Sequence, residues 1–276
     1  MSAGIFYYKR QHRRPQHIPP PPREEINVTI IPGWNLRDVA ADWKKKGIIK
    51  SEDELYELLG KPAYNYRVHR ESVSELFFLS EEAQRTSTRQ YPLVETKPNY
   101  ISYEGYLFPD TYRVYADAKP QDVLKKIFTN LESKITTEMR TEMDRQNKSF
   151  FEILTMASLV EREARTPEDM AMVADIFWRR EKMGWALQSC ASVNYVTGKN
   201  DPGVLDIDRA IDSAYNTYKY PGLPLGPIGN PGLQGIKAAL YPQKNNYWYF
   251  MTGTDGQMHY AQTLEEHNIN VAKYLK

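Results

Sequence analysis

From Phe150 to Ala164 the chain is largely apolar. Plotted at about 100° per residue, Phe150, Leu154, Ala157, Glu161 and Ala164 share one stripe. A mostly buried helix is predicted, with the Glu161 carboxyl pointing where a core side chain belongs. Glu163 lies with Glu152, Met156 and Leu159 on a more mixed face. Upstream, Asn27 to Pro32 alternates as a strand does, Gly33 turns the chain, and Leu36, Val39, Ala40 and Trp43 form a helical stripe ending at Gly47. Ser51 and Glu54 have capping-box spacing for a second helix carrying Leu55, Leu58 and Leu59, stopped by Gly60 and Pro62. Pro120 opens a helix with Val123, Ile127 and Leu131 inward. Thr166-Pro167 starts another with Val173, Ile176 and Phe177 inward.

Other stretches break both periods. Tyr103 to Tyr112 is an aromatic turn with one acid, read as a shaped loop. Tyr220 to Gly232 interleaves four prolines with four glycines, which suits a stiff loop that is exposed or lines a cleft. Residues 247–251 and 258–262 read as strands of a hairpin turned at Asp255-Gly256. Thr263 and Glu266 then cap a last helix whose stripe of Leu264, Asn268, Val271 and Leu275 is expected to face inward. The fold class is α+β: a spacer at 1–24 containing Pro19 to Pro22, a small strand-helix-helix unit at 25–98, and a larger, mainly helical unit at 99–276 ending in the hairpin and a helix.

The 276 residues suffice for two domains, and 36 basic against 35 acidic side chains leave no electrostatic footprint for nucleic acid. An aromatic share of 12% suits sugar-lined clefts and ordinary cores alike. Cys190 is the one cysteine, so no internal disulfide forms. No run of 18 apolar residues occurs. Gly4 to Tyr8 followed by Lys9, Arg10, Arg13 and Arg14 reads either as the tail of a membrane span or as a frayed terminus.

Candidate chemistry narrows by elimination. His259 and His267 bracket a strand end and a helix start, so no metal site is expected. Ser189 and Cys190 lack a nucleophile elbow, and the glycines of 222–232 alternate with prolines that have no N–H for a phosphate. No cofactor is expected. A buried carboxylic acid amid aromatics and amides remains, a set suited to glycosidic cleavage. Burial raises a carboxyl pKa, as a general acid near neutral pH requires. An inward Glu paired with an Arg or a backbone group is the competing reading. Glu104 and Glu163 are candidates for a second carboxylate, and a substrate carrying its own attacking hydroxyl would need none.

Six ordered blocks carry a resemblance: Glu104 to Tyr112, Ala157 to Glu163, Leu187 to Cys190, Tyr215 to Tyr218, Gly222 to Ile228, and His267-Asn268. Together they resemble the MltG-type (YceG-like) endolytic murein transglycosylases, from about residue 27 to the carboxyl end. The resemblance implies a LysM-like identity for the 25–98 unit and a catalytic role for 99–276. It implies a lyase in which Glu161 protonates the oxygen between MurNAc and GlcNAc, then takes the proton of the MurNAc 6-hydroxyl as it closes on C1. Substrate contacts are assigned to Glu104, Tyr106, Gln188, Ser189, Tyr215, Asn216, Thr217, His259, Gln262 and Asn268. The expected partners are peptidoglycan strands and cell-wall synthases of the penicillin-binding type. The expected place is the outer face of the bacterial cell membrane, anchored by a span upstream, although no complete span precedes the spacer. The rivals are a non-catalytic wall-binding scaffold and a water-using muramidase.

Overall fold

The computed structural model describes residues 22–71, 73, 91–199, 201 and 203–275. The spacer before Pro22 and the aromatic-basic start of the chain lie outside them. Strand β1 (Glu25–Thr29) pairs antiparallel with β2 (Thr111–Tyr115), Val28 opposite Tyr112 and Ile26 opposite Val114. The first strand thus sits two residues earlier than its alternation suggested. The end of the expected aromatic loop is a second strand, because Tyr112 and Val114 alternate inward against Val28. The pair crosses residue 98, joining the first predicted unit to the start of the second.

Between these strands lie α1 (Leu36–Lys45), α2 (Glu52–Leu59) and the single turn α3 (Pro92–Glu95). All four stripe residues of α1 are fully buried, and Asn35 and Asp38 close a capping box at its start. At α2 the Ser51 hydroxyl accepts from Glu54 N at 3.4 Å, but the Glu54 carboxylate accepts from Lys50 N rather than completing the expected box.

Helices α4 (Pro120–Lys134) and α5 (Thr137–Gln146) lead to α6 (Phe150–Glu163), which Ser149 and Glu152 cap reciprocally. Nearly every side chain from Ile153 to Val160 is buried, so α6 is surrounded on all sides. It packs against α7 (Pro167–Lys182) and α10 (Leu233–Leu240), and α8 (Cys190–Thr197) and the single turn α9 (Asp206–Arg209) lie between those two in sequence. Trp178 Nε1 donates to Ala239 O at 2.8 Å, tying α7 to α10. One apolar core runs from Val28 and Trp43 through Tyr103 and Leu107 to Ile153 and Leu240.

The hairpin comprises β3 (Tyr249–Thr252) and β4 (Met258–Ala261), with Gly256 at φ +75° in its turn. The final helix α11 (Leu264–Tyr274) departs from expectation. Leu264 and Leu275 are 54% and 52% exposed, and Asn268 is exposed too. The side turned to the hairpin instead carries His267, Asn270, Val271 and Tyr274. His267 stacks on Tyr249, Tyr274 stacks on His259, and Asn270 donates to Tyr260 O at 3.2 Å. Ring stacking and one amide bond therefore set the helix register, and the leucine stripe turns to solvent. Among the described residues no helix is long and apolar enough to cross a membrane.

Candidate functional site

Glu161 occupies the last turn of α6, partly exposed, and its Oε2 accepts one hydrogen bond, from Gly232 N at 3.1 Å. Gly232 is the N-cap of α10, so the carboxyl meets the positive end of that helix. Burial pushes the Glu161 carboxyl above its ordinary range, with the Gly232 donor pulling the other way. Among the described residues no cation is paired with it, and burial and the Gly232 donor are what shift it. Of the two forms of the competing reading, the backbone hydrogen bond is present, from Gly232 N, and the arginine pair is not seen among the described residues.

Glycines approach Glu161 from two sides. A methyl group on Gly235 would stand 2.6 Å from Glu161 Oε2, and one on Gly232 3.7 Å. On the other side Gly33 lies against the side chains of Glu161 and Arg162. The predicted turn after β1 is thus one wall, and the proline-glycine loop another. That loop is mostly buried from Gly226 to Gly232, which its bonding explains: Ile228 N donates to Ser158 Oγ at 3.0 Å and Asn230 N to Trp34 O at 2.7 Å. Two open clefts of about 660 and 730 Å³ border β2 and α4, and neither is lined by Glu161.

The other expected site residues fall into three groups. Ser189 donates a short hydrogen bond to the Glu163 carboxylate, so Glu163 is bound locally two residues from Glu161. Burial pushes the Glu163 carboxyl up, while Ser189, Arg162 and Arg180 act against that shift. Gln188, exposed and in the left-handed region at φ +56°, donates its N–H to Thr217 O at 3.0 Å. Ser189 N donates to Thr217 Oγ1 at 3.0 Å, and Ser192 and Thr217 exchange a hydroxyl bond at 2.8 Å. Asn216 is spent on its own loop, donating to Arg209 O and Ile211 O, and Tyr215 is buried edge-on against Tyr195. Gln188 alone in this group keeps its side chain exposed.

Glu104 and Tyr106 depart from the expected substrate contacts. Glu104 is 1% exposed, and its carboxylate accepts from Leu36 N, Tyr195 OH and Asn230 Nδ2 at 3.0 to 3.3 Å. Burial pushes its pKa up to about 8 against those donors. Tyr106 is fully enclosed against Phe150 and Tyr103, and its hydroxyl has no hydrogen-bond partner among the described residues. Both side chains build the interior because the Glu104 to Phe108 segment dives between α1 and α6.

His259 and Gln262 lie on the hairpin and Asn268 on α11. His259 Nε2 meets Asp255 Oδ2 at 3.0 Å and its ring stacks on Tyr274, so it braces the turn; Gln262 is exposed, and its N–H donates to the Glu266 carboxylate. Among the described residues no hydrogen bond or ion pair joins these three to Glu161. Three glycines that do approach it, Gly33, Gly232 and Gly235, carry no functional side chain. Their only sequence signal was the glycine-proline punctuation near 33 and 232.

The sequence matches the YceG-like family over residues 11–273. It is 40% identical over 173 residues to an endolytic murein transglycosylase of Bacillus subtilis (strain 168), covering 62% of this chain and 48% of that protein. It is 28% identical over 264 residues to an endolytic murein transglycosylase of Streptococcus pneumoniae serotype 2, covering 92% of this chain and 46% of that one. The chain therefore spans a little under half the length of these relatives. A YceG-like protein from Listeria monocytogenes, solved at 2.6 Å, superposes with a TM-score of 0.72 at 30% identity, over 88% of this chain and 75% of that one. By sequence over nearly its whole length, and by fold, the chain belongs to the YceG-like family.

Proposed function

We propose that this chain carries the catalytic site of an endolytic murein transglycosylase, a lyase that cuts the MurNAc-GlcNAc bond of nascent peptidoglycan and leaves 1,6-anhydroMurNAc ends. One observation carries the reading: a partly buried carboxyl with raised proton affinity, bound by the Gly232 N–H, with no cation paired to it among the described residues. Such a group keeps its proton to higher pH than an ordinary carboxyl, can deliver it to the bridging oxygen, and can accept another from the sugar's own 6-hydroxyl. Positioned proton transfer of this kind is worth about 10² to 10⁴ in rate, roughly 3 to 5 kcal/mol. The remainder comes from orientation and from polar groups stabilising the oxocarbenium-like state. Gln188 is the exposed amide best placed by sequence to contribute, close along the chain to the Ser189 bond with Glu163. The names of the Bacillus and Streptococcus relatives support the same reaction.

In this reading β1, α1 and α2 form a LysM-like unit that holds glycan, and its Pro32-Gly33 turn borders Glu161. The substrate places the activity outside the cytoplasm, beside cell-wall synthases. The test is Glu161→Gln, which keeps the side chain's shape but carries no titratable proton. Purified murein digested by the wild type should release anhydro-ended fragments by mass spectrometry, and the variant should release at least about 100-fold fewer. Fragments with reducing ends would replace the lyase by a water-using muramidase, and equal release by the two proteins would favour a scaffold. As the acid must be protonated, the rate should fall as pH rises through the raised Glu161 pKa.

A further inference from the structure

Two residues before Gly232, Asn230 is fully buried and every polar group on it is engaged. Its N–H donates to Trp34 O at 2.7 Å and its carbonyl accepts from Gly33 N at 2.8 Å. Its Oδ1 accepts from Leu107 N at 2.9 Å, and its Nδ2 donates to Trp34 O at 2.9 Å and Glu104 Oε1 at 3.3 Å. One side chain therefore pins together the turn before α1, the aromatic segment around Glu104, and the loop leading to α10. Glu104, behind it, is itself held by Leu36 N and Tyr195 OH.

The fit leaves no slack. A methyl on Gly229 would lie 2.9 Å from Gly33 O, and one on Gly105 2.6 Å from Pro227 Cβ. The loop is therefore held as part of this knot, and so is Gly232 N, which among the described residues is the one hydrogen-bond donor to the Glu161 carboxyl. The charged neighbours of Glu161 on its own helix are Arg162 and Glu163. The turn presents Pro32 and Gly33 and α10 presents Gly232 and Gly235, all uncharged.

We propose that Asn230, backed by Glu104, is a positioning residue that aims Gly232 N at Glu161 and so fixes where the acid holds its proton. This rests on Glu161 being the acid, yet its test does not require turnover. Carbon-13 NMR of the chain labelled at glutamate carboxyls reports the Glu161 titration directly, assigned through the signal lost in Glu161→Gln. In Asn230→Ala the Gly232 donor loosens, so the Glu161 pKa should rise by about half a unit or more. With murein as substrate, kcat should fall about tenfold or more with KM little changed. Glu104→Gln keeps an acceptor for Leu36 N and Asn230 Nδ2 but puts an amide NH2 where the second carboxyl oxygen meets Tyr195 OH, which loosens the backing of Asn230. It should move the titration the same way by less, and it carries the test if Asn230→Ala does not fold. An unmoved Glu161 titration in a folded variant, with only thermal stability reduced, would overturn the inference. A shifted titration in a protein that cuts no murein would instead keep the positioning role and discard the proposed reaction.

Discussion

At the scale of single residues, Gly235 is the sharpest test of the Glu161 environment. Alanine in a helix ordinarily stabilises by roughly 0.5 to 1 kcal/mol over glycine. Here the added methyl would sit 2.6 Å from Glu161 Oε2 and 3.3 Å from Ala157 O, so the carboxylate must move. Gly235→Ala should therefore cut murein cleavage by about tenfold or more, an effect of misplacing the acid rather than of unfolding. Cleavage assays and a thermal melt on the same sample decide this. Unchanged activity would mean that the carboxyl has freedom this packing denies it. The inward direction of Glu161 was legible from its helical stripe. The glycines that make room for it were legible only as loop punctuation, because their role is to lack a side chain.

At the scale of elements, α6 depends on its start as well as its core. Ser149 Oγ accepts from Glu152 N at 3.2 Å and Glu152 Oε2 accepts from Ser149 N at 2.8 Å. Ser149→Ala removes half of this box and should cost about 1 kcal/mol in urea unfolding while leaving the pH profile of the reaction in place. The shift of α11 shows the limit of element-level reading. Its periodicity was real, but the helix meets a two-stranded hairpin rather than a closed core. Stacking of His267 and Tyr274 on Tyr249 and His259 outweighed burial of Leu264 and Leu275, and Asn268 was left in solvent. Strand β2 was hidden for a related reason: a five-residue alternation has meaning only once β1 lies beside it.

Across the whole molecule, the buried Glu104 couples stability to pH. Its folded pKa, raised to about 8, exceeds the value near 4.5 that it would have in the unfolded chain. The folded state thus binds the proton more tightly, so its contribution is complete below pH 4.5 and is lost as pH rises towards 8. Glu161 and Glu163 shift in the same direction, which makes a single-site comparison necessary. Glu104→Gln should resemble the wild type near pH 4.5 and become relatively more stable by pH 8.5, by a few kcal/mol at most. Denaturant midpoints measured across that range would show it, and parallel curves would mean that Glu104 stays ionised in the fold. The position of Glu104, between α1, α8 and the loop before α10, also explains why one core spans residue 98.

Read alone, the chain determined the α+β class, the helical middle, the closing hairpin, the family and the inward acid, because each is written in local periodicity, turn chemistry or ordered motifs. Only the tertiary structure decided that Glu104 and Tyr106 are interior, that Asn268 is exposed, and that the turn at Gly33 and the cap at Gly232 enclose Glu161. Those outcomes depend on which segments meet across long sequence separations, and the contacts that settle them are made largely by backbone groups and by glycines with no side chain to read.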